Sequence, residues 1–139
     1  MWEFLKILFL GGSIVLTPYP IDVSESWVEI NVSEPLEALT TGAAIEIELS
    51  DLASAPDVVS RMTAAKRKHP NNCVQARLVT TQGSEIQVDE LSTSVSSNST
   101  FLVLSRKGGI PTDDQFSRVM LRATCELKDV TVSWRNYKK

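Results

Sequence analysis

Apolar and polar residues alternate with a period of two along much of this chain, and that pattern constrains the fold more than any other feature of the sequence. In "AIEIELS" at 44–50, Ile45, Ile47 and Leu49 fall on one side and Glu46, Glu48 and Ser50 on the other; in "WVEINVS" at 27–33, Val28, Ile30 and Val32 share a face. A strand reverses its side chains at every residue, so such segments bury one face of a sheet and wet the other, whereas a helix would scatter them around its axis. The same pattern runs through "CVQARLVTT" at 73–81, "EIQVDEL" at 85–91 and "KDVTVSWRNY" at 128–137, and "TFLVLSR" at 100–106 is apolar enough for a central strand.

Two stretches depart from it. "APDVVSRMTAAKRKHP" loses the alternation, and Asp57 as a start signal, the alanines and Pro70 as a stop predict one short helix over about 57–67. In "PTDDQFSRVMLRATCE" a capping-box spacing of Thr112 and Gln115 competes with alternation of Val119, Leu121, Ala123 and Cys125; the alternation is the longer signal, so a turn at 111–115 followed by a strand is expected. "TTQGSE" around Gly83 suits a hairpin, "RKGGIP" ends another strand, and the Ser-rich "STSVSSNST" at 92–100 reads as a connecting loop. The chain has 139 residues, enough for one core and too few for two. The expected fold is all-β, an antiparallel, jelly-roll-like β-sandwich of about seven strands with one short helix.

The opening "MWEFLKILFLGGSIVLTPYP" does not alternate. Leu5 to Leu16 is apolar apart from Lys6 and the Gly11, Gly12, Ser13 trio, and Pro18 and Pro20 stop a helix. A fully buried strand, a cleaved leader and an uncleaved signal anchor all fit a run of this kind. The leader lacks a small-x-small cleavage site after Leu16, which leaves an N-terminal hydrophobic helix, with residues 4–18 in the membrane, as the preferred expectation. The chain then divides into a signal anchor or signal peptide at 1–20 and a sandwich domain at 21–139.

Charge gives the orientation. From Ile7 to Ser60 there is no Lys or Arg but nine acids, while Arg61 to Lys139 holds thirteen of the fourteen basic residues. A flank free of basic residues is the one that crosses, so the body is expected on the extracytoplasmic side, periplasmic or extracellular. A net charge of −3 gives no indication of nucleic-acid binding.

Few residues carry chemistry by pattern. Cys73 and Cys125 are a possible disulfide in an oxidising compartment; with no C-x-x-C and no Cys/His spacing, no metal site and no cofactor are expected. His69, the single histidine, sits in "KRKHP" and reads as a solvated loop residue, although a small envelope enzyme would have to use it or a carboxylate pair. Arg61, Lys66, Arg67 and Lys68 form a basic helix face suited to an acidic partner. Trp27 and Tyr137 are the rings a sugar would stack on. Asn31 and Asn98 match the N-glycosylation pattern. The expectation is a membrane-anchored, non-catalytic binding or accessory module of the cell envelope, with a protein or glycan partner; an inhibitor or immunity-type protein working through the acidic first half is the alternative.

Overall fold

A computed structural model of the chain describes residues 13–49, 57–70, 72–95 and 99–136. Among them are ten strands, β1 (Ser13–Val15), β2 (Ile21–Val23), β3 (Val28–Glu37), β4 (Ala44–Glu48), β5 (Val74–Thr80), β6 (Glu85–Val88), β7 (Glu90–Val95), β8 (Thr100–Ser105), β9 (Gln115–Ala123) and β10 (Leu127–Arg135), and one helix, α1 (Val58–Lys68). All pairings are antiparallel. One sheet runs β1-β10-β4-β8-β7 with β2 also on β10; the other runs β3-β9-β5-β6.

Register explains why the alternation was so regular. In the first sheet Ile14, Trp134, Ile45, Leu104 and Leu91 line up as one row across five strands. In the second, Ile30, Val119, Leu78 and Ile86 form a row, and Val28, Leu121, Ala76 and Val88 the next. These rows belong to one shared core, and Phe116 of β9 meets Trp134 of β10 across it with ring centroids 6.1 Å apart. The arrangement is that of a β-sandwich, two sheets burying their apolar faces against each other.

Several expectations need correction. The end of the apolar N-terminal run is strand, not helix: Ser13, Ile14 and Val15 pair with Arg135, Trp134 and Ser133, Leu16 N–H donates to the Val132 carbonyl at 2.8 Å, and Val132 N–H donates to Thr17 Oγ1 at 3.1 Å. A three-residue edge strand has a single inward residue, here Ile14, so no periodicity could announce it. The sheet therefore includes residues ahead of the expected boundary at 21. The rest of the expected membrane helix, residues 4–12, lies outside the described residues, and no helix among the described residues is long and apolar enough to cross a membrane.

Residues 85–91 are not one strand. Asp89 divides them, with β6 in one sheet and β7 in the other, and two consecutive polar residues, Asp89 and Glu90, mark the break in phase. Part of the expected loop at 92–100 is sheet as well, because Ser92 to Val95 continue β7 along β8. Glu46 was expected to face water, yet it is only 4% exposed. Its carboxylate accepts from Arg135 Nη1 at 3.2 Å and from Ser13 Oγ at 3.3 Å, so a neighbouring strand supplies the partner and the edge strand supplies a hydroxyl.

After β8 the chain turns at Gly109, whose φ of +93° is open to glycine alone at low cost. A Cβ there would come within 2.6 Å of Thr41 Cβ, and the next residue, Ile110, donates to the Thr41 carbonyl at 3.1 Å. This close approach fastens the loop after β8 to the loop before β4.

The helix begins as expected. Asp57 Oδ1 accepts from Ser60 N–H at 2.7 Å and Oδ2 from Ser60 Oγ at 3.1 Å, a cap that satisfies one of the free amides of the first turn. The Ser60 amide, and then its hydroxyl, hold the Asp57 carboxyl below its ordinary range. A depressed folded-state pKa stabilises the helix above the ordinary aspartate value and loses that contribution as pH falls through the lowered one. Asp57→Ala is expected to fray the first turn, and in the parent chain the Ser60 amide resonance should titrate below the midpoint of an unstructured peptide of the same sequence. Coincident midpoints would show that the cap is not formed.

Candidate functional site

Helix α1 packs on β7 and, more lightly, on β8. A rise of 3.6 residues per turn places positions four apart on one side, and Arg61, Ala65 and His69 occupy that buried stripe. Arg61 and His69 are each 4% exposed, so the structure corrects two expectations: Arg61 is not part of the solvated basic face, and His69 is not a solvated loop residue. His69 is the C-cap, its N–H donating to the Ala65 carbonyl at 2.8 Å, which turns the imidazole inward with the stripe. Lys66, Arg67 and Lys68 remain exposed in the last turn, where positive charge offsets the negative end of the helix.

A hollow of about 570 Å³ lies between this last turn and β7, lined by Lys66, His69, Pro70, Leu91, Ser92 and Thr93. Its chemistry is mixed: one ammonium, one imidazole, two hydroxyls and two apolar side chains. Sequence reasoning marked Lys66 but missed Ser92 and Thr93, which fall in the Ser-rich stretch that carries no apolar rhythm, and Leu91, which the alternation at 85–91 marked only as a strand residue. A second hollow of about 310 Å³ sits at the end of β5 and β9, lined by Glu25, Asn72, Cys73, Gln75, Arg122, Ala123 and Thr124.

Comparison with protein-family models, curated proteins and solved structures gives no match for this chain. Function rests on the surfaces themselves.

The outer face of the β3-β9-β5-β6 sheet carries Arg77, Arg118 and Arg122. Arg77 pairs with Glu85 at 3.3 Å, Arg118 with Glu29 at 3.1 Å, and Arg122 Nε donates to Gln75 Oε1 at 2.7 Å. The guanidinium carbons of Arg77 and Arg122 lie 4.6 and 4.5 Å from the Trp27 ring centroid. Trp27 is thus engaged by two cations and is half-buried, which leaves less ring for a sugar than an isolated exposed tryptophan offers. Tyr137, the other ring singled out, lies outside the described residues. Trp27 and the basic helix face are therefore not brought into one site.

Cys73 and Cys125 form a disulfide with Cα atoms 5.4 Å apart. The sulfurs lie just beyond the paired ends of β5 and β9, where Val74 faces Ala123 and Thr124 N–H donates to the Cys73 carbonyl at 2.8 Å. One ring nitrogen of His69 and the two sulfurs all lie within 4.8 Å of one another, a gathering of metal-type donors that no adjacent spacing in the sequence announced. The one available signal was the four-residue step from His69 to Cys73 across the turn that leaves α1.

Proposed function

We propose that the chain is a non-catalytic binding module of the cell envelope that holds a short stretch of acidic glycan in the hollow between α1 and β7. The hollow is the observation that carries this reading. Lys66 offers a charged donor to a sugar carboxylate or phosphate, Ser92 and Thr93 offer hydroxyls to sugar hydroxyls, and Pro70 and Leu91 offer apolar surface to C–H faces. Among the described residues its lining holds no carboxylate, whereas glycoside cleavage ordinarily takes two, and this supports capture over turnover in this hollow.

The module works outside the cytoplasm, at the membrane surface. The absence of Lys and Arg from 7 to 60 and the cystine both support that address. Confinement to a surface raises the effective concentration of the module near its partner, so a weak contact suffices.

Titration of the full chain with an oligouronide and with a neutral oligosaccharide of equal length tests the reading by amide chemical shifts. The uronide should move resonances of Lys66, Ser92 and Thr93. Lys66→Glu should weaken it at least about tenfold, in keeping with a charge-assisted hydrogen bond of about 1.5–3 kcal/mol. Equal binding of the neutral sugar, or shifts confined to the Trp27 face, would reject the site. Absence of the chain from the membrane fraction would reject that address and leave the sugar site standing.

A further inference from the structure

We propose that His69, Cys73 and Cys125 form a redox-gated site for a thiophilic metal ion of the zinc type: closed while the cysteines are bridged, and open once the bridge is reduced. The donor set is the first support. Two thiolates and a neutral imidazole are the ligands such ions select, and together they neutralise a divalent charge. All three donor atoms already lie within 4.8 Å of one another.

Preorganisation is the second support. Breaking the S–S bond does not release the backbones that carry the three side chains. Cys73 and Cys125 flank the last pair of the β5–β9 ladder, the Thr124 amide holds the Cys73 carbonyl at 2.8 Å, and Cys73 N–H donates to the Pro70 carbonyl at 3.1 Å across the turn from His69. His69 is itself fixed as the C-cap of α1. A tetrahedral ion with bonds of about 2.3 Å to sulfur needs the two sulfurs about 3.7 Å apart. Side-chain rotation on Cα atoms 5.4 Å apart can supply that separation without moving a strand.

Access is the third. Cys125 is half-buried, Cys73 lines the smaller hollow and His69 the larger, so the trio lies between two openings to solvent. A dithiol carrier is the reductant class the step requires. It transfers two electrons and two protons to the cystine, becomes a disulfide itself and leaves two thiols; the incoming divalent ion then displaces those two protons. The site shares His69 with the lining of the larger hollow but uses neither Lys66 nor the hydroxyls of β7, on which the sugar-binding proposal rests.

The test uses the tag-free full chain, oxidised and after phosphine reduction under nitrogen, each equilibrated with zinc and desalted. The reduced chain should retain about one zinc, the stoichiometry of a mononuclear site, and the oxidised chain none. Cobalt in place of zinc should give thiolate-to-metal charge-transfer absorption in the reduced form alone. His69→Gln should weaken zinc at least about tenfold against a competing chelator, since loss of even an outer-shell partner costs that much. Circular dichroism of oxidised His69→Gln, still held by its cystine, checks that this variant is folded. Retention of no zinc by the reduced parent, equal retention by the oxidised chain, or undiminished affinity in folded His69→Gln would each overturn the proposal.

Discussion

Trp134→Ala is expected to remove about 3–5 kcal/mol of folding stability, the range for truncating a buried aromatic side chain. Trp134 is fully buried on β10, which lies between β4 and the short strands β1 and β2. Its ring meets Phe116 from the opposite sheet, so truncation opens a void on the plane where the two layers touch. The indole N–H also donates to the Glu37 carbonyl at 3.3 Å, the same carbonyl that accepts from Asn136 Nδ2 at 3.1 Å, while Asn136 Oδ1 accepts from Leu39 N–H at 2.9 Å. Trp134 therefore couples the core to the chain leaving β3. Trp134→Phe keeps most of the apolar area and loses the indole bond, and it should cost less than half as much. For a domain whose whole stability is about 5–15 kcal/mol, the alanine variant should be folded only marginally. Urea unfolding followed by circular dichroism measures both. A loss below about 1 kcal/mol for alanine, less than such truncations cost, would mean that the sheets do not meet at this pair.

How far the sequence discloses this fold depends on how long each element is. The strands around Ile30, Ile45, Leu78, Val119 and Val132 repeat their rhythm over five or more residues, and all of them are sheet. The helix was readable from a cap, a changed period and a terminating proline, and its observed span differs from the expected one by a single residue at each end. What stayed hidden is short or phase-broken. β1 and β2 have three residues each, and the step from β6 to β7 moves between sheets at Asp89, where alternation alone registers only a pause. The site was less legible than the fold for the same reason. Lys66 stands out as part of a charge run, but its neighbours in the hollow come from a Ser-rich strand, and the burial of Arg61 and His69 follows from helix phase relative to β7, a tertiary fact. Glu46 shows the limit of binary pattern most clearly, because a carboxylate on a strand is read as wet unless the partner arginine on another strand is known.

Reduction of the Cys73–Cys125 bridge should cost about 4 kcal/mol, the chain-entropy value for a loop of this length. The two cysteines are 52 residues apart, and the enclosed segment contains β5 to β9, so the bridge limits the unfolded ensemble over a large part of the fold. The native state should change little on reduction. The β5–β9 register and the Thr124 amide bond hold both ends without the sulfur link, and the loss therefore arises mainly in the unfolded state. Two signatures separate this origin from damage to the folded chain. The urea midpoint should fall while the slope of the transition rises, because the uncrosslinked chain exposes more surface on unfolding. The Cys73→Ser, Cys125→Ser double variant should match the reduced parent in metal-free buffer. An unchanged midpoint on reduction, or ready alkylation of both thiols in the unreduced native chain, would show that the bridge contributes nothing to stability. With zinc present the two forms should part company, the reduced parent regaining stability that the serine variant does not, because the ion closes the same 52-residue loop through sulfur ligands the variant lacks.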